Sequence, residues 1–213
     1  MLNLTPHDLI CRVITLVIAL TVHEFSHAWA ADYFGDLTPR QAGRLTLNPL
    51  VHLDVFGSLM VLLTGYGWAR PTPINPAALR QHSRWAIVWV SIAGPFSNFV
   101  LAAMAAIPLR FGWVQIIAPT GILPTLGEFV YVFFYINLLL AIFNLIPFPP
   151  LDGEKVLVAL LPRSAEPVYA KLRPYGPFVL MLLIFVGPTI HFDLIGWIIT
   201  PILTGLQRVM IGL

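Results

Sequence analysis

The chain has 213 residues, of which 58% are hydrophobic and only 10% are charged, whereas an ordinary soluble domain carries about 25% charged residues. Together with a mean hydropathy of +0.82, this composition excludes a water-soluble globule. A formal charge of +2 without a basic run argues against a nucleic-acid partner, and the single cysteine, Cys11, excludes an internal disulfide.

The apolar residues form separate runs that do not alternate with polar residues, which predicts an all-α polytopic membrane protein and not a β-barrel. We expect about five to six transmembrane or re-entrant helices. The first long run would be about 34 Å long as a helix, enough to cross a bilayer, and it lacks the small-residue cleavage site of a signal peptide. The long runs cover residues 9–31, 85–108, 126–147, 175–190 and 194–212.

A shorter apolar run, at residues 55–63, is too short to cross a bilayer comfortably and is predicted to be re-entrant or interfacial. The Pro- and Gly-rich stretch after it predicts a short extended, hairpin-like segment near residues 65–76. Arginine and lysine are concentrated between the first two long runs and again after the third. Because cytoplasmic loops are enriched in these residues, both stretches are predicted to be cytoplasmic and the N-terminus to lie outside.

Near the end of the first long run, the sequence VHEFSH contains the pattern H-E-x-x-H as His23, Glu24 and His27. Histidines four residues apart project from one face of a helix, so both can bind a single Zn²⁺ through imidazole nitrogens. The neighbouring glutamate is then placed to accept a proton from water at the metal. Ionisable side chains inside a span are costly and are usually functional, which strengthens the interpretation as a zinc site.

A catalytic zinc needs a third protein ligand, and the residues leave two sources open. One is Asp152 in NLIPFPPLDG, where prolines end the helix and non-helical backbone would lie against a watered cavity. The other is His52 or Asp54 in NPLVHLD, for which a solvated or supporting position is the alternative. If residues 55–63 crossed the membrane, Asp152 and the histidines would lie at opposite faces.

Three motifs together resemble the site-2 protease family of intramembrane zinc metalloproteases. HEFSH is similar to its zinc-binding motif, Asn144 to Gly153 to its second motif, and AGPFSN, with Gly94 and Asn98, to a motif of the intervening helix. The resemblance covers about residues 9–160. GRLTLNPLVHLDVFGS and GWARPTPINP further resemble short bacterial and archaeal members.

By this resemblance, His23, His27 and Asp152 should bind one Zn²⁺ per chain and Glu24 should be the catalytic base. Asn144 would help to hold the substrate or the oxyanion, and Asn98 would act similarly. The resemblance implies regulated intramembrane proteolysis, with a membrane protein as substrate whose transmembrane segment is locally unwound. A bacterial or archaeal cell membrane is the expected location, with the active site near the cytoplasmic side.

We expect residues 1–213 to form a single membrane-embedded metalloprotease domain, with a catalytic core at about 9–160 and two further spans at about 175–212. This length leaves no room for the PDZ or CBS domains of many relatives. The alternative function is a membrane metal transporter or metal-binding protein without hydrolytic activity. Such a protein would show polar groups along a path and repeated broken spans, whereas here the polar groups gather at one depth and Glu24 stands beside the ligands.

Overall fold

The computed structural model describes residues 5–64, 68–83, 85–162 and 164–212. The protein is 71% helical, and the described residues contain no strand, so the predicted all-α class is confirmed. The helices are α1 (Pro6–Tyr33), α2 (Thr38–Gln41), α3 (Val55–Thr64), α4 (Pro76–His82), α5 (Ala86–Arg110), α6 (Leu126–Asn144), α7 (Asp152–Leu160), α8 (Glu166–Leu172), α9 (Gly176–Phe185) and α10 (Leu194–Ile211).

Five helical stretches of the described chain are long and apolar enough to cross a membrane, which makes this an integral membrane protein: α1, α5, α6, the stretch Glu166–Phe185 and α10. Each of the five differs by at least one residue from its predicted bounds, and two of the differences lie at prolines. The third ends at Asn144 and not at 147, since a turn-rich segment leads into Pro147 and the prolines after it. The fourth begins earlier, at Glu166, and contains a 3₁₀ turn at Arg173–Tyr175, where Pro174 interrupts the α-helical hydrogen bonding.

Helix α5 lies at the centre of the fold and packs against α1, α6, α7 and α10. Ala102 and Ala106 are buried against Phe134 and Leu138 of α6. Such small side chains allow helix backbones to approach closely, and this close packing is what stabilises helix association in a bilayer. The segment that leads into α5 and the turn that follows α6 lie at the same end of the bundle as the C-terminal half of α1.

The short helix α3 has ten residues, about 15 Å, which is too little to cross a bilayer. Its N-terminal side is tied to the non-helical segment at residues 68–75, because Leu53 and Ala69 form an antiparallel bridge and the Arg70 amide donates to the His52 carbonyl at 2.7 Å. The segment is non-helical, as predicted near residues 65–76, but among the described residues its bridge joins it to Leu53 on the other side of α3 and does not close a hairpin within the segment. Residues 65–67 of that prediction lie outside the described part of the chain.

Candidate metal centre

The pair of histidines lies on the buried face of α1. His23 and His27 are four residues apart, so both rings point to the same side, and their Nε2 atoms are 3.1 Å from each other. Both side chains are buried. The helix thus presents two ring nitrogens at a single point inside the protein.

Asp152, the first residue of α7, completes a group of three possible ligands. Its Oδ2 lies 3.1 Å from Nε2 of His23 and 2.9 Å from Nε2 of His27. The chain reaches this point by the turn that contains Pro147, Pro149 and Pro150. Gly153 is required next, because a Cβ there would collide with the carbonyl oxygens of the turn.

The other nitrogen of each histidine has its own partner. Nδ1 of His27 donates to the Val90 carbonyl at 2.7 Å, and Nδ1 of His23 lies 2.7 Å from Oδ1 of Asn98. Asn98 uses its amide nitrogen for Oδ1 of Asn137 and the Ala19 carbonyl, so its oxygen faces His23 as acceptor. These partners assign the proton of each neutral ring to Nδ1 and leave a lone pair on Nε2.

Three acceptors therefore converge: two imidazole nitrogens and one carboxylate oxygen. Without a cation they would repel one another, and this nitrogen and oxygen donor set is one that Zn²⁺ accepts. Gly94 of α5 faces them and leaves the space a metal needs, because a Cβ there would collide with Nε2 of His27 and lie 2.7 Å from Cε1 and Nε2 of His23. The residues present fit a bound metal ion.

Glu24 follows His23 in α1, and its buried side chain is held by the segment at residues 68–75. The Thr72 amide donates to Oε2 of Glu24 at 2.7 Å, and the Thr72 hydroxyl donates to the Glu24 carbonyl at 3.1 Å. Oε1 of Glu24 has no hydrogen bond from any described residue. Sequence reasoning singled out this segment as extended but did not identify Thr72, whose role depends on a contact between positions 48 residues apart.

Lys155 is a second residue that sequence reasoning missed. Its Nζ donates to Oδ1 of Asp152 at 2.8 Å, across one turn of α7. Burial raises the pKa of Asp152, which lies outside the five candidate spans, but His27 and His23, where they carry a proton in place of a bound metal, and Lys155 outweigh burial and hold it well below its usual range. The carboxylate is therefore ionised, as a metal ligand must be.

A cavity of about 660 Å³ lies next to the residues that hold Glu24, His27 and Asp152. Its wall includes Thr72, Val90 and Lys155, each of which makes a hydrogen bond to one of the residues described above. The remaining wall is rich in prolines, which keep it stiff. The prolines of the wall are Pro71, Pro76, Pro149, Pro150, Pro174 and Pro177.

Other predicted residues make no hydrogen bond to this group within the described chain. The Asn144 amide donates to the Leu140 carbonyl of its own helix at 3.0 Å, and no hydrogen bond within the described chain joins it to the three ligands. His52 is fully buried, and its Nε2 donates to the Thr46 carbonyl at 2.8 Å. The alternative of a solvated position is therefore wrong for His52. Asp54 accepts from the Gly57 amide at the start of α3.

A second cluster lies at the opposite end of α1. Nδ1 of His7 is 2.6 Å from Oε1 of Glu128, and Asp8 is near enough for the three to form a ligand-like group. Asp8 and Glu128 occupy the first turns of α1 and α6, where a carboxylate stabilises a helix. The cluster therefore joins two helix ends.

Comparison with known proteins adds independent information. The sequence profile of peptidase family M50 matches residues 12–121 and 111–187. The chain is 41% identical over 192 residues to "Putative zinc metalloprotease YwhC" of Bacillus subtilis, covering 88% of this chain and 83% of the relative. It is 31% identical over 194 residues to a protein of the same description, Rip2 of Mycolicibacterium smegmatis, covering 85% and 70%.

A more distant similarity is to "Regulator of sigma-E protease RseP" of Escherichia coli, with 29% identity over 140 residues, which are 57% of this chain and 28% of that protein. No solved structure matches this chain.

Proposed function

Since this chain belongs to peptidase family M50, we propose that it is an intramembrane zinc endopeptidase that hydrolyses a peptide bond in or near a transmembrane segment of a membrane protein. The proposal rests on the convergence of His23, His27 and Asp152, together with the buried carboxylate of Glu24 on the same helix as the two histidines. A metal-binding or transport protein needs the three ligands alone. The position of Glu24 favours hydrolysis, which also needs a base.

The Nε2 atoms of His23 and His27 and Oδ2 of Asp152 would hold one zinc ion per chain. Zinc when bound lowers the pKa of water toward 7 and polarises a carbonyl group. Glu24 accepts the proton of the attacking water at Oε1, because Oε2 is already engaged by the Thr72 amide. Glu24 then donates this proton to the nitrogen of the leaving peptide fragment.

The substrate reaches these residues through the proline-lined cavity. Peptide groups of a membrane helix are hydrogen-bonded internally, so a segment of the substrate must unwind before attack. The segment at residues 68–75 suits an unwound chain, since the amides of Arg70 and Thr72 are used inside the protein and Pro71 and Pro73 have no N–H. Substrate N–H groups can donate to the carbonyls of the two prolines. Because proline has no N–H, the two prolines make no hydrogen bond to the substrate carbonyls.

Residues 1–213 are proposed to form one metalloprotease domain whose active site opens toward the cytoplasm of a bacterial or archaeal cell. The supporting observation is that His23 and His27 lie in the C-terminal half of α1 and Asp152 follows the C-terminal end of α6. Both helix ends adjoin the stretches of chain that are rich in arginine and lysine.

The test measures zinc per chain in purified, detergent-solubilised wild type, Glu24→Gln and Asp152→Ala. We expect about one zinc in wild type and Glu24→Gln and most of it lost in Asp152→Ala. Asp54→Asn is the matched control, a carboxylate outside the group, and should retain zinc. Retention of zinc by Asp152→Ala would refute the proposed ligand set.

A second measurement tests for hydrolysis and does not require that the substrate be known. Membranes from cells that express wild type or Glu24→Gln are compared for new protein N-termini. New termini inside predicted transmembrane segments should appear only with wild type. If Glu24→Gln generates the same termini, Glu24 is not the base.

A further inference from the structure

The two carboxylate oxygens of Asp152 face different partners. Oδ2 points to the two histidines, at 3.1 and 2.9 Å, whereas Oδ1 points to the ammonium group of Lys155 at 2.8 Å. Asp152 is buried, and the side chain of Lys155 is 33% exposed along the wall of the cavity. One oxygen of the Asp152 carboxylate therefore faces the histidines, and the other faces Lys155.

Within the described chain, Lys155 is the only donor to Oδ1. A buried carboxylate oxygen without a donor is unfavourable, so loss of Lys155 would let the carboxylate turn about its terminal bond toward other donors or water. The neighbouring acid does not compete for the lysine, because Glu154 is paired with Nε of Arg173 at 2.8 Å. The Lys155 ammonium is therefore committed to Asp152.

We propose that Lys155 is a positioning residue of the metal site, which holds Oδ1 of Asp152 so that Oδ2 alone is presented beside the two histidine nitrogens. The inference rests on the proposed function, since it takes Asp152 as a ligand. Lys155 acts on the metal only through Asp152, because its Nζ bonds the oxygen that faces away from the histidines. Partners of this kind around a metal ligand typically change metal affinity 10–100-fold.

The experiment measures the zinc dissociation constant by competition with a chelator of known affinity, using the full chain in detergent. Lys155→Met, which removes the ammonium but keeps a long side chain, should weaken zinc binding by about tenfold or more. Lys155→Arg, which can still donate to Oδ1, should stay within about threefold of wild type. Lys171→Met, a change at the only other lysine, which is exposed, should bind zinc like wild type.

A double-mutant comparison separates this inference from the function it rests on. In an Asp152→Ala background, Lys155→Met should cause no additional loss of zinc affinity. Zinc binding by Lys155→Met that equals or exceeds that of wild type would overturn the role of Lys155, as would an equal loss in the Asp152→Ala background. If Asp152→Ala alone binds zinc normally, the ligand set and the proposed function fail.

Folding is monitored separately by the thermal midpoint of the metal-free proteins. Lys155→Met and wild type should unfold within a few degrees of each other without zinc, because the released oxygen of Asp152 can turn toward other donors or water and regain a hydrogen bond. If Lys155→Met does not fold, the Arg variant decides: a loss of about tenfold in zinc affinity for Lys155→Arg would contradict the proposal.

Discussion

Asn98 and Asn144 make different contacts, although a similar role was expected for both. Both Asn98 and Asn144 belong to motifs that resemble the site-2 protease family, and both were expected to hold substrate or oxyanion. In the structure, Oδ1 of Asn98 lies 2.7 Å from Nδ1 of His23, whereas the Asn144 amide donates to a carbonyl of its own helix. Asn98 thus orients His23, a proposed metal ligand, and its amide donates a hydrogen bond to Asn137, which joins α5 to α6.

We predict that Asn98→Ala weakens zinc binding about 10–100-fold, because Nδ1 of His23 loses the acceptor that keeps its Nε2 free for the metal. Asn144→Ala is the matched control and should bind zinc normally. Chelator competition on the purified proteins measures both. Equal effects of the two substitutions would contradict this assignment.

Gly94 lies where any side chain would meet the two histidine rings. Gly94→Ala should abolish most zinc binding, since the added Cβ enters the space between the two histidine rings. Gly205→Ala introduces the same atom where nothing lies within 4 Å and should leave zinc content unchanged. Metal analysis of the two variants provides the measurement, and full zinc in Gly94→Ala would show that the site relaxes around the methyl group.

At the scale of elements, the segment at residues 68–75 owes its position to contacts with several parts of the chain. The Arg70 carbonyl accepts from the buried Arg44 at 3.1 Å, and the Asn75 amide donates to the buried Asp36 at 2.6 Å. The residues before Pro71 and Pro73 are biased toward extended backbone. These anchors place the Thr72 amide against Glu24, so the backbone of this segment holds the proposed base.

Thr72→Pro removes that amide and should lower the rate of proteolysis about tenfold or more, because a hydrogen bond to a charged group contributes about 1.5–3 kcal/mol. Zinc content should not change. Thr72→Val keeps the amide and loses only the hydroxyl, so it should remain much more active than Thr72→Pro. The rate at which membrane protein fragments form in cells distinguishes the two variants, and equal rates would show that the amide is not needed.

At the scale of the whole molecule, α1 and α6 both end where the proposed metal ligands meet, and α5 begins there. The loop between α5 and α6 lies at the other end of the bundle. With Cys11 as the only cysteine, and buried, the orientation of the protein can be tested by single cysteines in a Cys11→Ala background.

In intact cells, Ile122→Cys, in the loop between α5 and α6, should react with a membrane-impermeant thiol reagent. Leu160→Cys, at the end of α7, should react only after the membrane is permeabilised. Both wild-type side chains are exposed, so accessibility within the protein is matched. The reverse labelling pattern would place the proposed active site on the outer side.

Much of this protein was predictable from its sequence. The all-α polytopic class follows from apolar runs that must satisfy their own backbone hydrogen bonds in a bilayer. The alignment of His23 and His27 follows from the helical period, since residues four apart share a face. Even the shortness of α3 could be predicted, because helix length is set by residue count.

The tertiary structure decided which distant residues meet. It placed Asp152, and neither His52 nor Asp54, beside the two histidines, and it brought Asn98 and Thr72 to their partners. Most of these contacts join positions 48 to 129 residues apart, which depend on how helices and turns pack. The helical period relates residues within one or two turns of each other. The choice among distant side chains that have the same chemistry depends on how the helices pack.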